Sequence, residues 1–212
     1  MKECHTTKTL ILYSLIIPMI MSLLFIFFSN TYGKTVGYFL PYGIYLSILL
    51  IGVLLFNKRN DGTKQTKSSN KLVYYIVSFI PVIATFFVAF LPSLPNINLN
   101  LLLVLLTFAF LNGVLEELFW RRTYSKMFGN NMLYSYIIPT VIFSCWHFTL
   151  LFVKGVTYHG GALALVGGAT VMGAIWGWVM FKTKNVKVVI SAHVITNFFA
   201  FTQLLCENWF IQ

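Results

Sequence analysis

Acidic side chains are nearly absent from this chain. Its 212 residues hold five, Glu3, Asp61, Glu116, Glu117 and Glu207. Charged residues of both signs make up 9%, against roughly 25% in a soluble domain, so a solvated globular surface is excluded. Cysteine is scarce too. Cys4, Cys145 and Cys206 are odd in number and show no CxxC spacing, which excludes a disulfide framework and a structural zinc site. There is no HExxH motif and no repeat between the two halves. Polar linkers are missing as well, apart from "NKRNDGTKQTKSSNK" at 57–71, the stretch expected to be mobile.

Apolar sequence fills the remainder. The chain is 58% hydrophobic, with a mean hydropathy of +0.80, and apolar runs of about 20 residues, long enough to cross a bilayer, recur along it. The expected fold is all-α, a polytopic transmembrane helical bundle of about seven spans, at 9–28, 37–56, 72–92, 99–119, 133–153, 161–181 and 186–206. The first run is longer than a signal-peptide core and no small-x-small site follows it, so it reads as an uncleaved span. The expected division is 1–98 for three N-terminal spans, 99–206 for a four-span catalytic domain and 207–212 for a tail.

The net charge of +10 does not indicate a nucleic-acid partner, because the basic residues sit in the gaps between spans. With seven spans, thirteen Lys and Arg residues fall on one side of the membrane and two, Lys34 and Lys154, on the other. By the positive-inside rule the N-terminus is cytoplasmic. In span six, Ala169, Gly173 and Gly177 repeat every four residues, a small-residue stripe suited to close helix packing.

An ionisable group within a span costs about 2.5–3.5 kcal/mol on insertion scales, so each one needs a partner or a task. "LEELFWRR" at 115–122 closes the fourth apolar run. Glu117 and Arg121 are four apart and can pair along one helix face, whereas Glu116 lies about 100° round and has no local partner. "FSCWHF" at 143–148 puts Phe143 and His147 on one face of span five. Cys145 points nearly opposite, so it forms no Cys–His nucleophilic pair. "SAHVITNFF" at 191–199 puts His193 and Asn197 on one face of span seven. Singly, each polar group could be an ordinary interhelical hydrogen bond. Together they supply the parts for activating a water and stabilising an oxyanion. Glu116 lies near the end of its run, so Pro139 is expected to start span five near Ile138 and bring His147 to a matching depth.

In order, "EELFWR", "FSCWH" and "HVITN" fit EExxxR, FxxxH and HxxxN. The chain resembles the CPBP (CAAX protease and bacteriocin-processing, or Abi) family, which includes the type II CAAX prenyl endopeptidases. The resemblance covers roughly residues 100–206, and spans one to three add only membrane character. It implies an intramembrane endopeptidase in which Glu116 and His147 activate the attacking water and His193 and Asn197 stabilise the oxyanion. Glu117, Arg121 and Phe143 support them. The family is often classed as metalloendopeptidase. Glu116, His147 and His193 would make a His₂Glu zinc set, and the same residues also suffice for a metal-free, glutamate-activated water. The implied partners are a membrane-embedded protein or peptide substrate and the lipid bilayer. The expected setting is a bacterial plasma membrane, with the site opening toward its cytoplasmic half. Two rival readings are a non-catalytic immunity or resistance factor and a transporter-like proton relay.

Overall fold

The computed structural model describes residues 2–57 and 71–210. The basic linker expected to be mobile lies outside them, but for Asn57 and Lys71. No β-strand occurs among the described residues. Six helices are long and apolar enough to cross a membrane: α1 (Thr7–Phe56), α2 (Leu72–Asn96), α3 (Leu99–Phe128), α4 (Leu133–Phe152), α5 (Leu163–Thr183) and α6 (Val186–Phe210).

Those six helices contain the seven expected crossings. As a straight rod α1 would be about 75 Å long at 1.5 Å per residue, over twice the thickness of the hydrocarbon core. It folds back at Gly33, whose φ of 78° and ψ of 178° lie in a region open essentially to glycine alone. Tyr13 in the first limb donates its hydroxyl to the Ile48 carbonyl in the second at 2.6 Å. The Tyr13 and Phe56 rings meet at 5.6 Å, and a Cβ on Gly37 would collide with Ser29. The two limbs are therefore antiparallel neighbours.

The bundle is apolar outside and charged inside. Leu103, Phe110 and Leu163 are 59%, 58% and 84% exposed, while Glu116, Glu117 and Arg121 are at most 2% exposed. That distribution fits a lipid-facing surface. Lipid tails are as apolar as leucine, so close approach, rather than a hydrophobic driving force, holds such helices together. The small-residue stripe of α5 provides it against α4. A Cβ at Gly173 would fall 2.8 Å from the Phe143 ring, and one at Gly177 2.9 Å from the Tyr136 ring. Antiparallel α3 and α6 meet at Gly113, where a Cβ would fall 2.8 Å from Val194 Cγ2 and 3.0 Å from its Cα.

Two sequence expectations need correction. Glu116 is not at a helix end, because α3 continues to Phe128 with Phe119, Trp120 and Tyr124 fully buried beyond it. A hydropathy reading ends the span there since it counts Glu117 and Arg121 as separate charges, whereas in the fold they neutralise each other. Nor does span five begin at Ile138. α4 starts at Leu133, and Pro139 lies inside it. Proline lacks the N–H of the ordinary ladder, and the chain absorbs this by winding 133–137 as a wider π turn. The Thr140 hydroxyl donates to the Tyr136 carbonyl at 2.7 Å.

Candidate active site

Glu116 ends the regular α-helical part of α3, and a π-helical turn, Glu117–Thr123, follows immediately. Such turns recur at functional sites. Here Thr123 Oγ1 helps to satisfy the displaced carbonyls by donating to the Leu118 carbonyl at 2.9 Å. The close α3–α6 crossing at Gly113 lies one turn before Glu116, and Val194 is the neighbour of His193. The crossing therefore delivers the His193 imidazole between the two carboxylates.

His193 Nδ1 lies 2.8 Å from Glu117 Oε1, and its Nε2 lies 3.5 Å from Glu116 Oε2. The ring stacks on Trp176, with centroids 4.3 Å apart. Glu117 Oε2 also faces Arg121 Nε at 3.5 Å. The guanidinium lies 4.1 Å over the Phe143 ring and reaches the Gly173 carbonyl through Nη2 at 3.5 Å. Glu117 thus spans Arg121 and His193, and both carboxylates meet the same imidazole.

Hydrogen-bond chemistry places a proton here. A carboxylate oxygen only accepts, so Nδ1–H donates to Glu117. A neutral ring would then turn the lone pair of Nε2 toward Glu116 Oε2, acceptor against acceptor. One proton, carried by either member of the Glu116–His193 pair, removes that clash.

The other oxygen of Glu116 is held firmly. Oε1 accepts from the Tyr45 hydroxyl at 2.7 Å and from Trp146 Nε1 at 3.1 Å. Tyr45 in turn accepts from Trp120 Nε1 at 3.2 Å, and its ring stacks on Trp146 at 3.5 Å and 14°. Oε2 makes no hydrogen bond.

A cleft of about 340 Å³ adjoins this cluster, lined by His147, His193, Thr196, Asn197, Asn112 and Trp176 among others. His147 is half-buried, and its Nδ1 bonds the Phe143 carbonyl at 2.9 Å. The carbonyl can only accept, so Nδ1 carries the proton and Nε2 of the neutral ring keeps its lone pair. Asn197 Nδ2 and Thr196 Oγ1 are buried without a hydrogen-bond partner. Glu116 is wholly buried behind His193, and no hydrogen bond joins it to His147. The cleft runs along α6 to Gln203, Leu204 and Glu207, where it meets Tyr158, exposed His159 and Gly160. Burial pushes the Tyr158 phenol well above its usual pKa, so it stays a neutral donor to the Leu150 carbonyl at 3.0 Å. The exposed mouth therefore lies at the end of the bundle that holds Gly33 and Lys154. That end is opposite the basic gaps, toward which the site was expected to open.

No group of three or more His, Cys, Asp or Glu side chains among the described residues is placed to hold one ion. The His₂Glu set of Glu116, His147 and His193 does not converge and so does not fit a catalytic zinc site as it stands.

The sequence reading missed the residues that hold Glu116. Tyr45 comes from α1, and Trp146 and Trp120 are aromatics in apolar runs. A signal was present, since Tyr38, Tyr42 and Tyr45 form an i, i+4, i+7 stripe. Asn112 stands four residues before Glu116 and accepts from the Tyr42 hydroxyl at 3.1 Å. The N-terminal spans therefore supply a direct partner to the site.

Three motifs on α3, α4 and α6 thus bracket one cleft, and residues 98–199 match the family model of the type II CAAX prenyl endopeptidase Rce1-like proteins. This half of the chain belongs to the CAAX-protease family. Neither a comparison with curated protein sequences nor one with solved structures gave a match. All the motif residues, from Glu116 to Asn197, fall inside the matched CAAX-protease segment, while Tyr45 lies outside it.

Proposed function

We propose that this CAAX-protease family member is an intramembrane endopeptidase that hydrolyses a peptide bond in a membrane-embedded protein or peptide. The observation that carries this reading is the set of unmet hydrogen-bonding groups at the cleft. Asn197 Nδ2 has donors without an acceptor, and Glu116 Oε2 is buried without a hydrogen-bond partner, 3.5 Å from His193 Nε2.

The proposed step places the shared proton on His193, so that Glu116 is ionised. The substrate carbonyl takes up the Nε2–H of His193 and the amide of Asn197, drawing His193 away from Glu116 and opening Oε2 to water. His147 Nε2 orients that water by accepting one O–H. Glu116 accepts the other proton as the oxygen attacks the carbonyl carbon. The oxyanion then collapses, the C–N bond breaks, and the proton passes from Glu116 to the leaving amine. Glu117 keeps Nδ1 of His193 engaged, Arg121 neutralises Glu117, and Phe143 carries the guanidinium and packs on His147 at 4.5 Å. The substrate is a membrane-bound chain, with prenylated proteins and small bacterial peptide precursors as the two classes in view, and the setting is a bacterial plasma membrane with a cytoplasmic N-terminus.

Peptidomics of cells expressing the wild type against Glu116→Ala tests the function. Peptides that appear only with the wild type are expected. In a purified assay Glu116→Gln and His147→Ala should be close to inactive, and near-wild-type cleavage by Glu116→Gln would sink the assignment.

A further inference from the structure

Glu207 is the one acidic side chain that lines the cleft. It has no part in the proposed chemistry, and its surroundings set it apart from an ordinary surface charge. His159 Nδ1 lies 3.2 Å away and Gln203 Nε2 lies 3.1 Å away, and both bond the same oxygen, Oε1. Among the described residues none bonds Oε2, which faces the exposed mouth. Lys34, at the same end of the bundle, is otherwise engaged, its ammonium donating to the Asn208 carbonyl and lying 5.9 Å from the Trp209 ring centre. Between Glu207 and the site the walls are largely apolar, including Val88, Leu165, Met172, Phe201 and Leu204.

His193 and Glu207 lie on one continuous helix, fourteen residues apart. At 1.5 Å per residue that is about 21 Å, the length of roughly six extended peptide residues at 3.3 Å each. We infer that Glu207 is a substrate-recognition residue. It would take a cationic group, a Lys or Arg side chain or a free amino terminus, about six residues from the scissile bond of an extended peptide laid along α6. The inference rests on the endopeptidase reading and adds a specificity to it. Gln203 and His159 act as positioning residues by holding Oε1, so that Oε2 is presented.

Lipidated peptides of one sequence are the probe. They carry Lys, Gln or Glu at each position four to eight residues on either side of the scissile bond, and are cleaved by the full chain in liposomes. The readout is the ratio of kcat/KM for the Lys peptide over the Gln peptide within each variant, which does not depend on the fraction of enzyme folded. The wild type should show a ratio of about five at one or two adjacent positions, the upper end for a partly exposed ion pair. Glu207→Gln should bring the ratio to about one, and Glu207→Lys should prefer the Glu peptide. A Lys preference that survives Glu207→Gln, or no preference at any position, overturns the inference while leaving the endopeptidase reading intact. No cleavage of any peptide by the wild type overturns that reading and the inference together.

Discussion

Tyr45→Phe is the sharpest test of how the site is built, because it removes one oxygen atom from a residue outside the matched family segment. The hydroxyl gives Glu116 Oε1 its shorter hydrogen bond, 2.7 Å against 3.1 Å from Trp146. Glu116 is charged before the step and gains a proton in the transition state, so the bond serves by fixing the carboxylate's position, not by stabilising its charge. Misplacement of a reacting group by 1 Å costs about 10²-fold; Trp146 still holds Oε1 in the variant, so a smaller loss is expected, about tenfold in kcat. Tyr45 does not line the cleft, so KM should be unchanged. The variant also strands Trp120 Nε1, whose acceptor is the lost hydroxyl at 3.2 Å. An unpaired buried donor costs about 1–3 kcal/mol of stability. Tyr13→Phe is the control, since it removes a hydroxyl from the same helix, bonded to the Ile48 carbonyl 2.6 Å away. The assay is cleavage of a lipidated fluorogenic peptide in liposomes, with melting followed in parallel. A Tyr45→Phe enzyme with the kcat of Tyr13→Phe would refute the claim that Tyr45 fixes the carboxylate. In Tyr45→Phe/Trp146→Phe, Oε1 loses both donors, and the rate should fall by more than the product of the single losses.

Four other outcomes follow from the packing and the donor set. Gly113→Ala places a methyl 2.8 Å from Val194 Cγ2 and 3.0 Å from its backbone, so α3 and α6 must separate. Overpacking of this kind costs about 1–3 kcal/mol, and a lowered melting temperature with disproportionate loss of kcat would show that His193 has moved. Arg121→Ala leaves Glu117 buried without its cation, at about 3–5 kcal/mol. Arg121→Lys should recover little of this in denaturation assays, because lysine lacks the planar fork that reaches Glu117, Gly173 and the Phe143 face together. Asn197→Ala removes a proposed oxyanion donor and should lower kcat about 10²- to 10³-fold, and a loss confined to KM would remove Asn197 from that role. Cleavage should persist in excess chelator, because no three metal-ligating side chains converge among the described residues; loss on chelation with recovery in zinc would reverse this.

Much of the fold was legible because bilayer thickness sets the length of an apolar run, and a bend can be inferred wherever a run is twice too long. The Glu117–Arg121 pair was legible from spacing along one helix. Tyr45 was not, because it reaches Glu116 across 71 positions, and a tyrosine in an apolar run reads equally well as filler or as a donor until its neighbour is known. The direction of the cleft was hidden for the same reason. It depends on which side chains leave space between α2, α5 and α6, and no periodicity along one helix reports that. His193 shows where helix-face reasoning runs short. Its spacing to Asn197 was evident, but its place between two carboxylates depends on the absent Cβ of Gly113.

The paired carboxylates are adjacent in sequence and chemically unlike in the fold. Glu117 has one oxygen on His193 and the other on Arg121. Glu116 has one oxygen saturated by Tyr45 and Trp146. Neither Oε2 has a hydrogen-bond partner, and each faces a nitrogen at 3.5 Å, Arg121 Nε for Glu117 and His193 Nε2 for Glu116. What separates them is the partner: the guanidinium keeps its charge, whereas the imidazole can give up a proton, and this marks Glu116 Oε2 as the reactive atom. The surrounding charges suit it to the task. With the shared proton on His193, two carboxylates face one imidazolium and one guanidinium, and the cluster is neutral. Transfer of a proton from water to Glu116, with the negative charge growing on the substrate oxygen beside His193, leaves that sum unchanged. In a low-dielectric site a change of net charge is expensive, and this arrangement lets the proton move without one.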